Sequence, residues 1–408
     1  MTAMRVLVVA QYYPPEPGAA QNRIAAFVEG LRERGHRLTV VCEQPNHPVG
    51  VFHDGYGRRP VVSERDGSLT VHRLWVATSP HKTPRRRLAF YGSFAVGALG
   101  AVRVLPRHDV AFMTSPPLPG VVAAGRGLVG RDVPYVLDVR DLWPAAAAAL
   151  GELSNPRVIH QVERAERWLY RHAAAATATT RPFCRHIDRL VGRPITSHLP
   201  NGALDQLIDA PSRRPPAGGP FTVGYAGNLG IAQGLGIIPD AAAELRGEDI
   251  RFLVVGDGPV GAGLRSEAKR RDLNAIEMRP IVPVEEVGDV LRDCHVLLIP
   301  LGAHYLLEDF VPSKLYDAMA VGRPVIAALG GEAASIVREA QCGLVVPPED
   351  GCALAEAVRS LRDRPDWAQA LGNAGRRAAR EHARSRQVAR LEQVLLCAVG
   401  EGRYEDGR

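Results

Sequence analysis

The chain lacks most of the signatures that announce a chemistry. Its six cysteines, Cys42, Cys184, Cys294, Cys342, Cys352 and Cys397, form no C-x-x-C pair, which excludes a zinc ribbon or dithiol centre and fits a reduced compartment. No G-x-G-x-x-G follows the first strand-like segment, so a dinucleotide fingerprint is missing. No D-x-D stands at a strand end to bridge a metal and a diphosphate, and no metal ligand set is expected. Lysine and arginine exceed the acids by only 50 to 44, a formal charge of +6 spread along the chain. Without a helix-turn-helix, an RNP motif or paired Cys/His, that excess does not point to nucleic acid. The apolar run in "MTAMRVLVVA" is too short for a signal peptide, no solenoid repeat occurs, and a cytoplasmic protein is expected.

Long hydrophobic runs are scarce as well. One apolar stretch, about 15 residues without charge within Pro84 to His108, falls short of the ~20 that a membrane span needs. Arg85, Arg86 and Arg87 precede it, and Arg103 and Arg107 follow. Two readings fit: a Gly/Ala-rich core helix, or a helix lying in the interface of an anionic membrane as a peripheral contact.

What is present is alternation. At 408 residues the chain exceeds what one core usually fills, so two domains are the default. Apolar β runs at 5–10, 38–42, 70–76, 109–114 and 134–139 alternate with helical periodicity such as Ile24, Phe27, Val28 and Leu31. After a Pro/Gly/Arg-rich linker beginning at 207 the pattern restarts, with strands in "FTVGYAG", "RFLVVGDG", "HVLLIP", "PVIAAL" and "GLVVPP". Alternating βα units predict parallel sheets with helices on both faces, hence two doubly wound Rossmann-like domains, 1–206 and 207–384. A helical tail from about Trp367 to Gly400 is expected to cap the second domain, with 385–408 crossing back to the first. Ligands of such sheets bind beyond the carboxyl ends of the strands, and two such edges can face one cleft.

Several segments at those ends can carry chemistry. In "VVAQYYPPEPGAAQNR", Gly18 permits close approach of an anion or a sugar to a helix end, with Arg23 one turn in. The turn "GYAGNLGIAQGLG" repeats the idea in the second domain through Gly227, Gly230 and Gly234, without a cation. "LDVRDLWP" sets Arg140 and Asp141 at a first-domain strand end, as a functional pair or a structural ion pair. "VPSKLYDAMAVGRPVI" starts a helix near Pro312 and stops it at Gly322 and Pro324. That helix carries Lys314 in its first turn, where the dipole disfavours a cation. Either Lys314 pairs with Asp317 at the surface, or Ser313, Lys314 and the helix N–H groups hold a phosphate while Asp317 accepts sugar hydroxyls.

Taken together with "QYYPPEPGAA", "PNHPVG", "TSPPL", "VRDLWP", "YAGNLGIAQGL" and "VGDGP", these motifs resemble the retaining glycosyltransferases of family 4, closest to the WbuB-like branch. The resemblance covers nearly the whole chain. It implies a GT-B fold and transfer of a sugar from a UDP- or GDP-sugar, a co-substrate rather than a resident cofactor, to a lipid-linked glycan. A small soluble acceptor with a hydroxyl or thiol is the alternative, and a GT-B epimerase or a noncatalytic sugar-nucleotide binding protein are others. It also implies that Gly18 lies near the donor diphosphate and that Asp317 is the second acid of an E-x7-E motif, holding the ribose. The first acid falls on Asp309, with Glu308 adjacent. Asn228 and Gln233 stand where the family usually has two phosphate-binding cations, which leaves Lys314 to neutralise the diphosphate. Transfer from the same face without metal or protein base is expected, with Arg140 or Asp141 orienting the sugar or the acceptor.

Overall fold

The computed structural model describes residues 3–16, 18–47, 49–81, 83–145, 155–211, 215–216, 218–304 and 309–400. Two compact units emerge, Met1–Pro200 with Ser385–Arg408, and Asn201–Arg384.

The first unit runs β1 (Arg5–Val9), α1 (Ala19–Glu33), β2 (Arg37–Glu43), β3 (Val61–Asp66), β4 (Leu69–Leu74), α2 (Pro84–Val104), β5 (Val110–Ser115), α3 (Leu118–Val129), β6 (Tyr135–Val139), α4 (Pro156–His172), β7 (Ala175–Ala178), α5 (Arg181–Val191) and β8 (Thr196–His198). These strands form one sheet in the order β3-β4-β2-β1-β5-β6-β7-β8, parallel except for the antiparallel β3–β4 pair. The strand order reverses between β1 and β5, so their carboxyl ends open the crevice where doubly wound sheets take ligands. Strands β1, β2, β5 and β6 were legible as apolar runs because both faces are covered. Strand β3, "VVSERD", was not: it is an exposed edge strand whose charges suit an edge and hide its period.

The second unit runs α6 (Asp205–Asp209), β9 (Phe221–Ala226), α7 (Ile237–Glu244), β10 (Ile250–Val255), α8 (Gly261–Arg270), β11 (Ile276–Arg279), α9 (Val284–Arg292), β12 (Val296–Pro300), α10 (Ser313–Val321), β13 (Val325–Ala328), α11 (Gly331–Glu339), β14 (Gly343–Val346), α12 (Gly351–Arg362) and α13 (Pro365–Glu381). Its six strands, in the order β11-β10-β9-β12-β13-β14, are all parallel. Here the reversal lies between β9 and β12. The chain enters this unit at Asn201, six residues before the expected boundary, because Ala203, Leu207 and Ile208 belong to its core. The helical tail consists of two helices. α13 ends at Glu381, and α14 (Arg384–Ala398) buries Val388, Leu391 and Leu395 against Ile24, Phe27 and Leu31 of α1. The His36 imidazole, which accepts the Met4 N–H through Nδ1 at 3.1 Å, holds Glu392 of α14 at 2.9 Å.

Candidate functional site

The site is built around the strand reversal of the second unit. β9 ends in the turn Gly227–Gly236, and β12 leads into α10, so both elements start from adjacent strands. Their backbones meet: Gly302 N–H donates to the Ala232 carbonyl at 3.0 Å. The neighbouring "VVGDGP" turn after β10 braces the first one, with Leu229 N–H donating to Asp257 O at 2.9 Å. A Cβ on Gly256 would lie 1.9 Å from the Gly227 carbonyl oxygen, and Gly256 has φ +149°. Only glycine fits there, which is why this Asp-Gly turn is more than generic turn chemistry.

Lys314, in the first turn of α10, reaches into that corner. Its Nζ donates to Tyr225 Oη at 2.7 Å and to Gln233 Oε1 at 2.6 Å, and lies 4.2 Å from the Tyr225 ring centroid. Both oxygens are neutral, and the Tyr225 hydroxyl itself donates to Asn228 O at 2.6 Å. The ammonium is thus a half-buried cation solvated by an amide, a phenol and a ring face, with no ion pair to an acid among the described residues. Burial pushes its pKa down to about 7, since desolvation disfavours the charged form. The position a Cβ would take on Gly227 is 3.3 Å from Nζ, so the exposed Gly227–Asn228 backbone and the cation share one corner. Ser313 opens α10, whose N-cap Pro312 supplies no side-chain cap; the Leu315 N–H donates to the Pro312 carbonyl at 3.0 Å, and no side chain caps the N–H groups of Ser313 and Lys314.

The surface pairing of Lys314 with Asp317 is not what the structure shows. Asp317 Oδ1 instead accepts the Leu204 N–H at 3.0 Å, and burial raises its pKa against the opposing charge of Arg384. Leu204 adjoins Ala203, which pairs in register with Ala383. Asp317 thus has one oxygen committed to the unit's own backbone, a role with no sequence signal because the partner is a main-chain N–H 113 residues away. Asp309 sits on an exposed turn ahead of α10, and among the described residues nothing joins it to Lys314 or Asp317. Glu308 lies outside the described residues.

In the first unit, Gly18 N-caps α1 with φ +153°, a backbone conformation that favours glycine. Arg23 is not available to an anion. It is 3% exposed and makes a two-point pair with Asp138 on β6, Nη2 to Oδ1 at 2.8 Å and Nε to Oδ2 at 3.1 Å, while also donating to the Leu199 and Pro200 carbonyls. Thr177 Oγ1 donates to the same carboxylate at 2.8 Å. Asp138, buried in "LDVRD", was passed over for its neighbours because a strand interior does not advertise a charge. Arg140 turns inward, donating to Thr114 Oγ1 at 2.9 Å and Pro116 O at 2.5 Å, and burial lowers its pKa. Burial raises that of Asp141. The two do not form an ion pair. The structure therefore places the donor candidates Gly227, Asn228, Gln233, Ser313 and Lys314 together, with Asp317 one turn deeper in α10, and Arg140 and Asp141 at the carboxyl end of β6.

Comparison with known proteins matches residues 18–202 to the family described as "Glycosyl transferase 4-like domain" and residues 220–364 to "Glycosyl transferases group 1". The chain is a family 4 glycosyltransferase of the GT-B fold. WcaI of Escherichia coli (strain K12), named for colanic acid biosynthesis, is 25% identical to this glycosyltransferase over 342 residues, 78% of the chain and 82% of WcaI. The 2-deoxystreptamine glucosyltransferase of Streptomyces kanamyceticus is 28% identical over 299 residues, 68% of the chain and 74% of the relative. Among solved structures, sucrose-phosphate synthase from Thermosynechococcus elongatus matches with TM-score 0.72 at 17% identity, over 97% of this chain and all of that one. Anabaena HepE in complex with UDP matches with TM-score 0.70 at 16% identity, with the same coverage. At such identities the structural neighbours establish the fold of the glycosyltransferase.

Proposed function

We propose that this glycosyltransferase moves a glycosyl group from a nucleoside diphosphate sugar to a hydroxyl of a lipid-linked glycan, with retention and without a metal ion. One observation carries the donor reading. Lys314 is a cation held by neutral acceptors at an exposed glycine turn and a helix N-terminus, which is an arrangement for neutralising a diphosphate. As the bond from the anomeric carbon to the donor phosphate oxygen breaks, charge grows on the departing diphosphate. Lys314, Ser313 and the N–H groups of α10 stabilise that charge, and Gln233 steers the ammonium. The acceptor oxygen bonds to the anomeric carbon from the face the diphosphate leaves, and its proton passes to a diphosphate oxygen. Asp317 offers its second oxygen to the ribose, and Asp309 or Glu308 takes the first acid position. Gly18 lies near the diphosphate, and Arg140 or Asp141 orients the sugar or the acceptor.

The test is a transfer assay with UDP- and GDP-sugars and a lipid-linked acceptor, reading the anomeric configuration of the product by NMR in the presence of a chelator. A retained configuration and undiminished turnover are expected; an inverted product or loss of turnover on chelation would overturn retention or metal independence. A soluble acceptor is the second reading, favoured by the relative that acts on 2-deoxystreptamine. Turnover of soluble aminocyclitols together with none on lipid-linked glycans would establish it.

The ribose role has its own check. Asp317→Asn should abolish most of the preference for ribo- over 2′-deoxynucleoside diphosphates, because an amide accepts on one oxygen only and that oxygen is the one Leu204 uses. An unchanged ribo/deoxy ratio would assign Asp317 to its backbone contact alone.

A further inference from the structure

The feature that glycosyl transfer leaves unexplained is the outward face of α2. Its inward face is ordinary core: Phe94, Ala98 and Val102 are buried, Phe94 lies against Gly120 of α3, and Val102 against Gly127. The core-helix reading therefore accounts for half of the helix. On the other side Leu88 is 75% exposed, Val96 74% and Val104 85%. Around the positions a Cβ would take on Gly92 and Gly100 nothing lies within 4 Å. Residues 88–102 carry no charge, and the whole of 84–108 contains no acid. Arg85 and Arg86 stand exposed at one end of this strip, and Arg103 and Arg107 at the other.

From this geometry we infer that α2 lies flat on an anionic lipid surface, its apolar strip in the acyl boundary and its arginines on the headgroups. Three candidate occupants are separated by physical argument. A transmembrane arrangement fails because 15 uncharged helical residues rise only ~22 Å against a hydrocarbon core of ~30 Å, and no described helix is long and apolar enough to cross a membrane. A second copy of the chain fails on charge: antiparallel stacking sets Arg85 and Arg86 against Arg103 and Arg107, and parallel stacking sets each pair against itself. An anionic bilayer is both apolar below and negative above, which complements the strip and both ends at once. The strip is also smooth, since two of its central positions are glycines, Gly92 and Gly100, and a smooth face suits a fluid layer better than a side-chain pocket. This docking does not depend on the donor reading and would bring the first unit to a lipid-borne acceptor.

The experiment is co-sedimentation of the full chain with vesicles of phosphatidylcholine alone or with 30% phosphatidylglycerol, at low and high salt. Most of the protein should pellet with the anionic vesicles at low salt and little in the other conditions, because exposed charges are screened beyond a Debye length. Val96→Glu should abolish pelleting, and Arg85→Gln with Arg103→Gln should cut it several-fold. All three side chains are exposed, so the thermal midpoint and nucleoside diphosphate affinity of these variants should stay at wild-type values. Equal pelleting with neutral vesicles, or pelleting unaffected by both variants, would overturn the assignment. So would a dimer in sedimentation velocity that Val96→Glu dissociates, since that result gives the face to a second copy.

Discussion

Lys314→Ala should weaken binding of a free nucleoside diphosphate by about 1.5–3 kcal/mol, the range for a hydrogen bond to a charged group, while the bare nucleoside binds as before. The difference between the two ligands is the diphosphate, and Lys314 is the cation the structure sets beside the Gly227 turn. The effect also has a pH signature. Because burial pushes the Lys314 pKa down to about 7, an arriving diphosphate must draw a proton onto it above that pH. Diphosphate affinity should fall as pH rises from 7 to 9, and calorimetry in buffers of differing ionisation enthalpy should show proton uptake that Lys314→Ala removes. The sign for stability is the opposite one. A lysine whose folded pKa lies below its ordinary value of 10.5 binds more protons when unfolded, so this group contributes stability that grows between pH 7 and 10.5. Lys314→Met should accordingly raise the thermal midpoint at pH 6 while abolishing diphosphate discrimination, the stability cost expected of a functional cation. Equal weakening of nucleoside and diphosphate would remove Lys314 from the phosphate site.

The sequence carried the architecture because both sheets are parallel and covered, so their strands are continuous apolar runs separated by helical periods. It failed where burial does not set the pattern. β3 is an edge, β7 is four small residues, Ala175–Ala178, and the tail breaks at His382, which no proline or glycine marks. The site was partly legible for a related reason. Lys314 stood out as a cation where a helix dipole disfavours one, and Gln233 as an amide where the family has a cation, and the structure joins these two by a hydrogen bond. Tyr225 was missed because a tyrosine inside a strand reads as core, and its hydroxyl becomes relevant only once β12 and α10 are placed beside it. Arg23 was misjudged in the other direction. One turn inside a helix at a glycine-rich loop, it has the position of an anion ligand, and only the fold shows that Asp138, 115 residues away, already holds it.

Asp138 is fully buried and Arg23 is 3% exposed, so removing one partner leaves the other charge without compensation. Asp138→Ala should cost the first unit about 3–5 kcal/mol in urea denaturation, the range for breaking a buried pair. The double variant Arg23→Met, Asp138→Leu should recover much of that loss, because well-packed apolar replacements spare the desolvation of both ions. Thr177 and the Leu199 and Pro200 carbonyls would then lose a partner each, which keeps the recovery below complete. The same variants decide whether Arg23 is a ligand. If it serves only the fold, the double variant binds nucleoside diphosphate as tightly as the wild type, whereas an arginine contacting the diphosphate would cost at least tenfold in affinity on removal. A stable but non-binding double variant would return Arg23 to the donor site, and the carboxylate of Asp138 would then be its positioning partner rather than the end of its role.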